Sequence, residues 1–220
     1  MADNNLVQNS KDNILESYWE SYCGGAENDP MDLTADELIY YSDKYSQYIE
    51  ELNNRKYSKP RTLQDLYDEK KPGEVIAWFY VNGEIPDRSE VIDIAKEFVQ
   101  WMVMWGITHD NHVHILNMQV LFDEPNEFDD PIPRCVVHEV WDYVDENGVI
   151  VMGQEKAMEM AGLELYDPSK EEDRKNHRAR TWSKICRMKF LELLHDHGYE
   201  VRNKLLLTRN KRKKTGWWDT

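Results

Sequence analysis

Cysteine is scarce in this chain: three in 220 residues, at Cys23, Cys135 and Cys186, with no CxxC pair among them. An odd and scattered set makes neither a disulfide framework nor a thiolate zinc site, so the three read as packing residues in a reducing compartment. No apolar run approaches the 18 or so residues of a membrane span, and mean hydropathy is −0.78. The first twenty residues lack the basic start and apolar stretch of a secretory signal, so a cytoplasmic location is expected. With ten glycines there is no Gly-rich phosphate loop, no GxSxG and no Walker pattern, which removes ATPase, serine hydrolase and dinucleotide sites from consideration.

Positive charge is also in short supply. Lys and Arg number 27 against 42 Asp and Glu, a formal charge of −15. The last twenty residues run against that balance, with seven Lys/Arg and only Asp219, so the remaining 200 carry −21. So acidic a body repels a phosphate backbone over most of its surface and suits a basic protein surface instead, although excess acid also simply keeps a protein soluble. Apolar residues at 40% and aromatics at 11% exclude wholesale disorder, and the length supports a self-sufficient core.

Periodicity divides the chain. A short helix is expected from Lys11 to Tyr22, ended by Cys23-Gly24-Gly25. Thr34-Ala35-Asp36-Glu37 has the spacing of a capping box, and Leu38, Tyr41, Tyr45, Tyr48, Ile49 and Leu52 follow at helical spacing. Thr62 can cap a further helix through Tyr67. Strands are expected over Val75 to Val81, Val113 to Leu121 and Arg134 to Tyr143, and Asp145-Glu146-Asn147-Gly148 before Val149-Ile150-Val151 signals a hairpin with a type I′ turn. Between them Pro86-Asp87-Arg88-Ser89, a turn with an N-cap signal, opens a helix ending at Gly106; later helices span Gln154 to Met160 and roughly Glu172 to His197, the last with Trp182, Ile185, Cys186, Phe190, Leu193 and Leu194 inward. The expected fold class is α+β, a small, mainly antiparallel sheet covered by helices, divided into a helical region 1–73, an α+β core 74–200 and a basic tail 201–220.

Three clusters bear on chemistry. His109, His112 and His114 sit in Thr108-His109-Asp110-Asn111-His112-Val113-His114, where alternate strand residues share a face and can present imidazoles to one divalent ion; the bland reading is a strand edge with one packed and one solvated ring. Tyr40, Tyr41, Tyr45 and Tyr48 lie in one helix, where a tyrosine nucleophile can be sought, but their spacing fits a buried face and none is assigned. Arg209, Lys211, Arg212, Lys213 and Lys214, followed by Trp217 and Trp218, form a basic tail that can meet phosphates and stack on bases, or remain a solvated tail. His195 and His197 suit the negative end of a helix dipole.

Several stretches, in order, resemble the relaxases and plasmid-recombination enzymes of Gram-positive mobile elements: Tyr41-Ser42-Asp43-Lys44-Tyr45 with Tyr48-Ile49-Glu50, Thr62-Leu63-Gln64-Asp65-Leu66, His114-Ile115-Leu116, Gln154-Glu155-Lys156-Ala157 with Asp167-Pro168-Ser169-Lys170, and Cys186-Arg187 with Phe190-Leu191. The resemblance covers about residues 37 to 200 and implies a relaxase-like fold. Such enzymes carry His-Leu-Asp-Glu and then Pro-His-x-His, whose three histidines hold the metal for DNA nicking. Here the matching positions read Leu121-Phe122-Asp123-Glu124 and Pro133-Arg134-Cys135-Val136, so Leu121, Arg134 and Val136 stand where the resemblance puts histidines. None can donate a lone pair to a cation. A competing register places His112-Val113-His114 on the His-x-His pair and restores a site with His109.

The resemblance therefore implies a degenerate relaxase-like protein, not an enzyme and without a metal cofactor, working by binding as mobile-element cargo. Its most concrete form is an anti-CRISPR nuclease inhibitor, a nucleic-acid mimic whose acidic loop, Glu124, Glu127, Asp129 and Asp130, meets the basic channel of an RNA-guided nuclease or its guide-RNA complex. One alternative is a metal-dependent nuclease using His109, His112 and His114 with a divalent ion on DNA or RNA. Another is a mobilisation accessory that binds plasmid DNA through the tail.

Overall fold

The computed structural model describes residues 30–55, 60–80, 85–122 and 132–199. The Lys11 to Tyr22 helix, the acidic loop and the basic tail lie outside the described residues, as does Cys23. The elements are α1 (Pro30–Arg55), α2 (Leu63–Glu69), β1 (Gly73–Trp78), α3 (Arg88–Thr108), β2 (Val113–Leu121), β3 (Arg134–Val144), β4 (Ile150–Met152), α4 (Gln154–Met160) and α5 (Arg178–Asp196). The class is α+β, and the sheet is small and antiparallel, with β3 at its centre between β1 and β2 and with β4 also on β3.

Register decides what each face holds. Pairing of Glu74 with His138, Ile76 with Val136 and Trp78 with Arg134 puts these residues on one face, and Val75, Ala77, Cys135 and Val137 on the other. The second face is the main core: Ala77, Val137, Cys135 and Trp141 pack with Ile94, Phe98 and Met102 of α3, Ala157 and Met158 of α4, and Trp182, Cys186, Phe190 and Leu194 of α5. Across the first face lie α1 and α2, where Tyr41, Tyr45, Leu66 and Tyr67 enclose Leu116, Val140 and Met152. The tyrosine stripe of α1 is thus a core stripe, with Tyr41 and Tyr45 fully buried. Cys135 and Cys186 are free and buried.

Local chemistry explains most boundaries and corrects several. Helix α1 begins at Pro30, a turn before Thr34; proline suits a first helical position, where its missing N–H costs nothing. Glu37, expected to close a capping box, is 3% exposed and turned onto the sheet. At α2 the expected cap is present, Thr62 bonding Asp65 N and the Asp65 side chain bonding Thr62 N. Asp87 caps α3, which runs two residues past Gly106; that glycine serves close contact instead of termination, since a Cβ there would lie 2.8 Å from the Val113 carbonyl oxygen. Strand β1 stops at Trp78 instead of Val81.

The turn before β4 is not type I′. Gly148 has φ of 80°, but Asn147 is not among the positive-φ residues; the Asp145 carboxylate accepts from Asn147 N and Val149 N and holds the chain in an Asx turn, with Gly148 N bonding Asp145 O. Helix α5 starts at Arg178, six residues later than expected. Asn176 is the reason: its amide donates to the carbonyls of Asp167, Lys170 and Glu171 and accepts from Asp167 N, folding residues 167–176 into an ordered loop.

Candidate functional site

The polar side chains gather on β3 and its neighbours. His114 Nε2 donates to Asp142 Oδ1 at 3.0 Å, Tyr45 donates its hydroxyl to Asp142 Oδ2 at 2.7 Å, and His112 Nδ1 donates to the Asp142 carbonyl at 3.0 Å. His112 and His114 therefore meet at one residue, Asp142. His109 does not join them. Its ring stacks on Trp105 with centroids 3.8 Å apart and donates to the Trp105 carbonyl at 2.7 Å, and Asp110 and Asn111, both left-handed, turn the chain away before β2. Among the described residues no three His, Cys, Asp or Glu side chains are grouped to hold a metal ion.

Tyr45 is unsuited to attack. Burial, with Tyr40 and the Asp142 carboxylate nearby, pushes its hydroxyl far above the ordinary tyrosine range. Tyr41 is raised likewise, mainly by burial, and donates to the Lys70 carbonyl at 2.6 Å. A phenol that is buried, protonated and already donating a hydrogen bond is a structural pin.

The three positions that the resemblance gives to metal histidines do come together, at the other end of β2. Leu121 pairs directly with Arg134, and Val136 lies two residues along β3 on the same face. Opposite residues on an antiparallel pair have Cβ atoms about 5 Å apart, the separation over which three side chains can share an ion. Here the side chains are an isobutyl group, an isopropyl group and a guanidinium, the last lying over the Trp78 ring at 5.3 Å. A cation in that place meets a positive charge and no lone pair.

Two constellations were not anticipated from sequence. In the first, Glu37 of α1 accepts from Tyr67 of α2 at 2.6 Å, from Asn117 of β2 at 2.6 Å and from His138 of β3 at 2.5 Å. Burial alone would push Glu37 up; those three hydrogen bonds and the His138 charge hold it below the usual carboxylate range. The bond to Glu37 in turn raises His138 above the ordinary imidazole value, helped by Glu74 at 3.8 Å from Nε2. In the second, Glu139 accepts from Trp141 Nε1 at 2.9 Å and from Trp182 Nε1 at 3.0 and 2.8 Å, one to each carboxylate oxygen. Among the described residues no cation is paired with it, and burial pushes its carboxyl up to about 7, the indole bonds offsetting only part. A signal existed for both: an acidic residue in the middle of an otherwise apolar strand or helix face.

The acidic-loop residues Glu124, Glu127, Asp129 and Asp130, and the tail residues Arg209, Lys211, Arg212, Lys213, Lys214, Trp217 and Trp218, lie outside the described residues. No helix among the described residues is long and apolar enough to cross a membrane. No family model, no curated protein and no solved structure matches the chain.

Proposed function

We propose that this chain is a relaxase-like protein of a mobile genetic element that works by binding and carries no nicking chemistry. One observation carries the reading: Leu121, Arg134 and Val136 are neighbours on one face of the β2 and β3 pair, as three ligands would have to be, yet they offer hydrocarbon and a guanidinium. On this reading the three positions keep the neighbourhood of a nuclease's ligands without their lone pairs. The fully buried Tyr41 and Tyr45 and the engagement of His112 and His114 with Asp142 support the same reading.

The partner is a basic protein surface. A chain of −15 carries the charge complementary to a channel evolved for nucleic acid, and its most concrete target is an RNA-guided nuclease that it blocks before target DNA enters. The test is a reconstituted cleavage reaction in which the full chain is added to the nuclease and guide RNA before or after target DNA. Inhibition that is strong on early addition, weak on late addition and weakened by salt is the expected result. Replacing Glu124, Glu127, Asp129 and Asp130 with lysine should slow association. Divalent-dependent nicking of a supercoiled plasmid, or cutting of the guide RNA, by the chain alone would replace this reading with that of a nuclease.

A further inference from the structure

The acidic balance of the chain has one local reversal within the described residues. From Arg174 to Leu191 there are seven Lys/Arg and no Asp or Glu. Partners remove some of these charges from play. Arg178 is surrounded by Glu155 at 3.6 Å, Glu159 at 3.6 Å and Glu172 at 3.2 Å, and Lys189 is paired with Glu192 at 2.9 Å. Arg174, Lys175, Arg180 and Lys184 are left exposed in the loop before α5 and on its outer face. Arg180, Lys184 and the half-exposed Met188 follow at intervals of four residues, so they form one stripe along the helix.

An aromatic ring sits in the stripe. Tyr166, 44% exposed, lies 4.5 Å from the Arg180 guanidinium and 5.7 Å from the Lys184 ammonium. Its loop is held by the four Asn176 hydrogen bonds and by Arg180 donating to the Lys175 carbonyl at 2.7 Å, so ring and cations are presented together on a fixed surface. Cations spaced along a helix with an exposed ring between them are what a single-stranded nucleic acid requires: charge for successive phosphates and an aromatic edge or face for a base.

We infer that Arg174, Lys175, Arg180, Lys184 and Tyr166 form a docking surface for a single-stranded nucleic acid. This inference does not depend on the identity of the protein partner proposed above. Glu171, Glu172 and Asp173 border the face on one side, and the acidic balance of the rest of the body repels a strand, so this face and the basic tail are the two places left for one. Four phosphate contacts on a single strand give a plot of log binding constant against log salt with a slope of about −2.8.

The experiment is fluorescence anisotropy of a labelled 12-nucleotide oligo-dT with the full chain at several salt concentrations. Replacing Arg180 and Lys184 with alanine should make the slope shallower by about 1.4, and Tyr166→Ala should weaken binding about tenfold with the slope unchanged. Lys156→Ala removes a cation already paired with Glu159 and should change neither. Absence of binding at low salt overturns the inference. So does binding that survives the Arg180 and Lys184 changes but is lost when Arg209, Lys211, Arg212, Lys213 and Lys214 become alanine, because the tail is then the site. A polyglutamate peptide that binds as tightly as oligo-dT and ignores Tyr166→Ala assigns the face to an acidic protein and also overturns it.

Discussion

Residues 138 and 139 are consecutive on β3, point to opposite faces of the sheet, and show two ways of burying a carboxylate. On one side His138 reaches Glu37, which has a cationic partner and two further donors and is held ionised. On the other, Glu139 has indole donors alone and is driven toward its neutral form. Glu37 has three donor groups, one of them His138 with its charge, whereas Glu139 has two neutral indoles, the Trp182 N–H shared between its oxygens, so burial of Glu139 is left largely uncompensated. One network ties α1 and α2 to the sheet through an ion pair; the other ties α5 to the sheet through Trp182, within the main core.

The strongest way to break the contrast is to remove Glu37. Glu37→Ala leaves Tyr67, Asn117 and His138 without their acceptor, and a half-removed buried ion pair costs about 3–5 kcal/mol. Chemical denaturation at pH 7 checks this, and a loss under about 1 kcal/mol would mean that α1 packs by its tyrosines alone.

Glu139 gives a somewhat smaller effect with a definite sign. Its folded carboxyl holds a proton up to about 7 against 4.5 as the ordinary value. The folded state therefore binds more protons between those values, and stability falls as pH rises from about 4.5 to about 7, by roughly 3 kcal/mol, and then levels off. Glu139→Gln lacks that titration, so the difference between the two proteins should change over this window and nowhere above it. Tryptophan fluorescence should follow the same titration in the parent, since Trp141 and Trp182 both donate to this group. A flat difference from pH 4.5 to 8 would show that the indoles alone keep Glu139 ionised.

His138 sharpens the other half of the comparison with the smallest effect. Because Glu37 raises it, its contribution is complete below 6.5 and is lost as pH rises through the elevated value. In an NMR titration its ring should change protonation above 6.5 in the parent and at lower pH in Glu37→Gln. An unmoved midpoint would detach His138 from Glu37.

Much of the scaffold was legible in the residues. Strand β2 and helix α4 run over the residues that period and breakers indicated, and the burial of Tyr41 and Tyr45 followed from helical spacing. What escaped was decided by contacts distant in sequence. Glu37 has the spacing of a cap, but its partners lie 30, 80 and 101 positions away, and a short-range pattern carries no trace of them. Glu139 reads as the odd acid of a strand until Trp182, 43 positions on, closes over it. The late start of α5 rests on Asn176, whose side chain competes with helical bonding by taking three carbonyls of a loop. The histidine run near β2 supplied a candidate ligand set, but the left-handed Asp110 and Asn111 separate His109 from the pair facing Asp142. The acid-free stretch from Arg174 to Leu191 was visible in the residues all along, but an even charge count over a longer window conceals it.

The most direct test of the proposal that the β2 and β3 pair is a metal site without its ligands is calorimetric titration of Mn²⁺ into two full-length proteins, the parent and the triple variant Leu121→His/Arg134→His/Val136→His. The register of β2 on β3 predicts saturable uptake of one ion per chain by the variant and none by the parent. Stoichiometric uptake by the parent, abolished by replacing His112 and His114 with alanine, would contradict it, and so would a folded triple variant that takes up no ion.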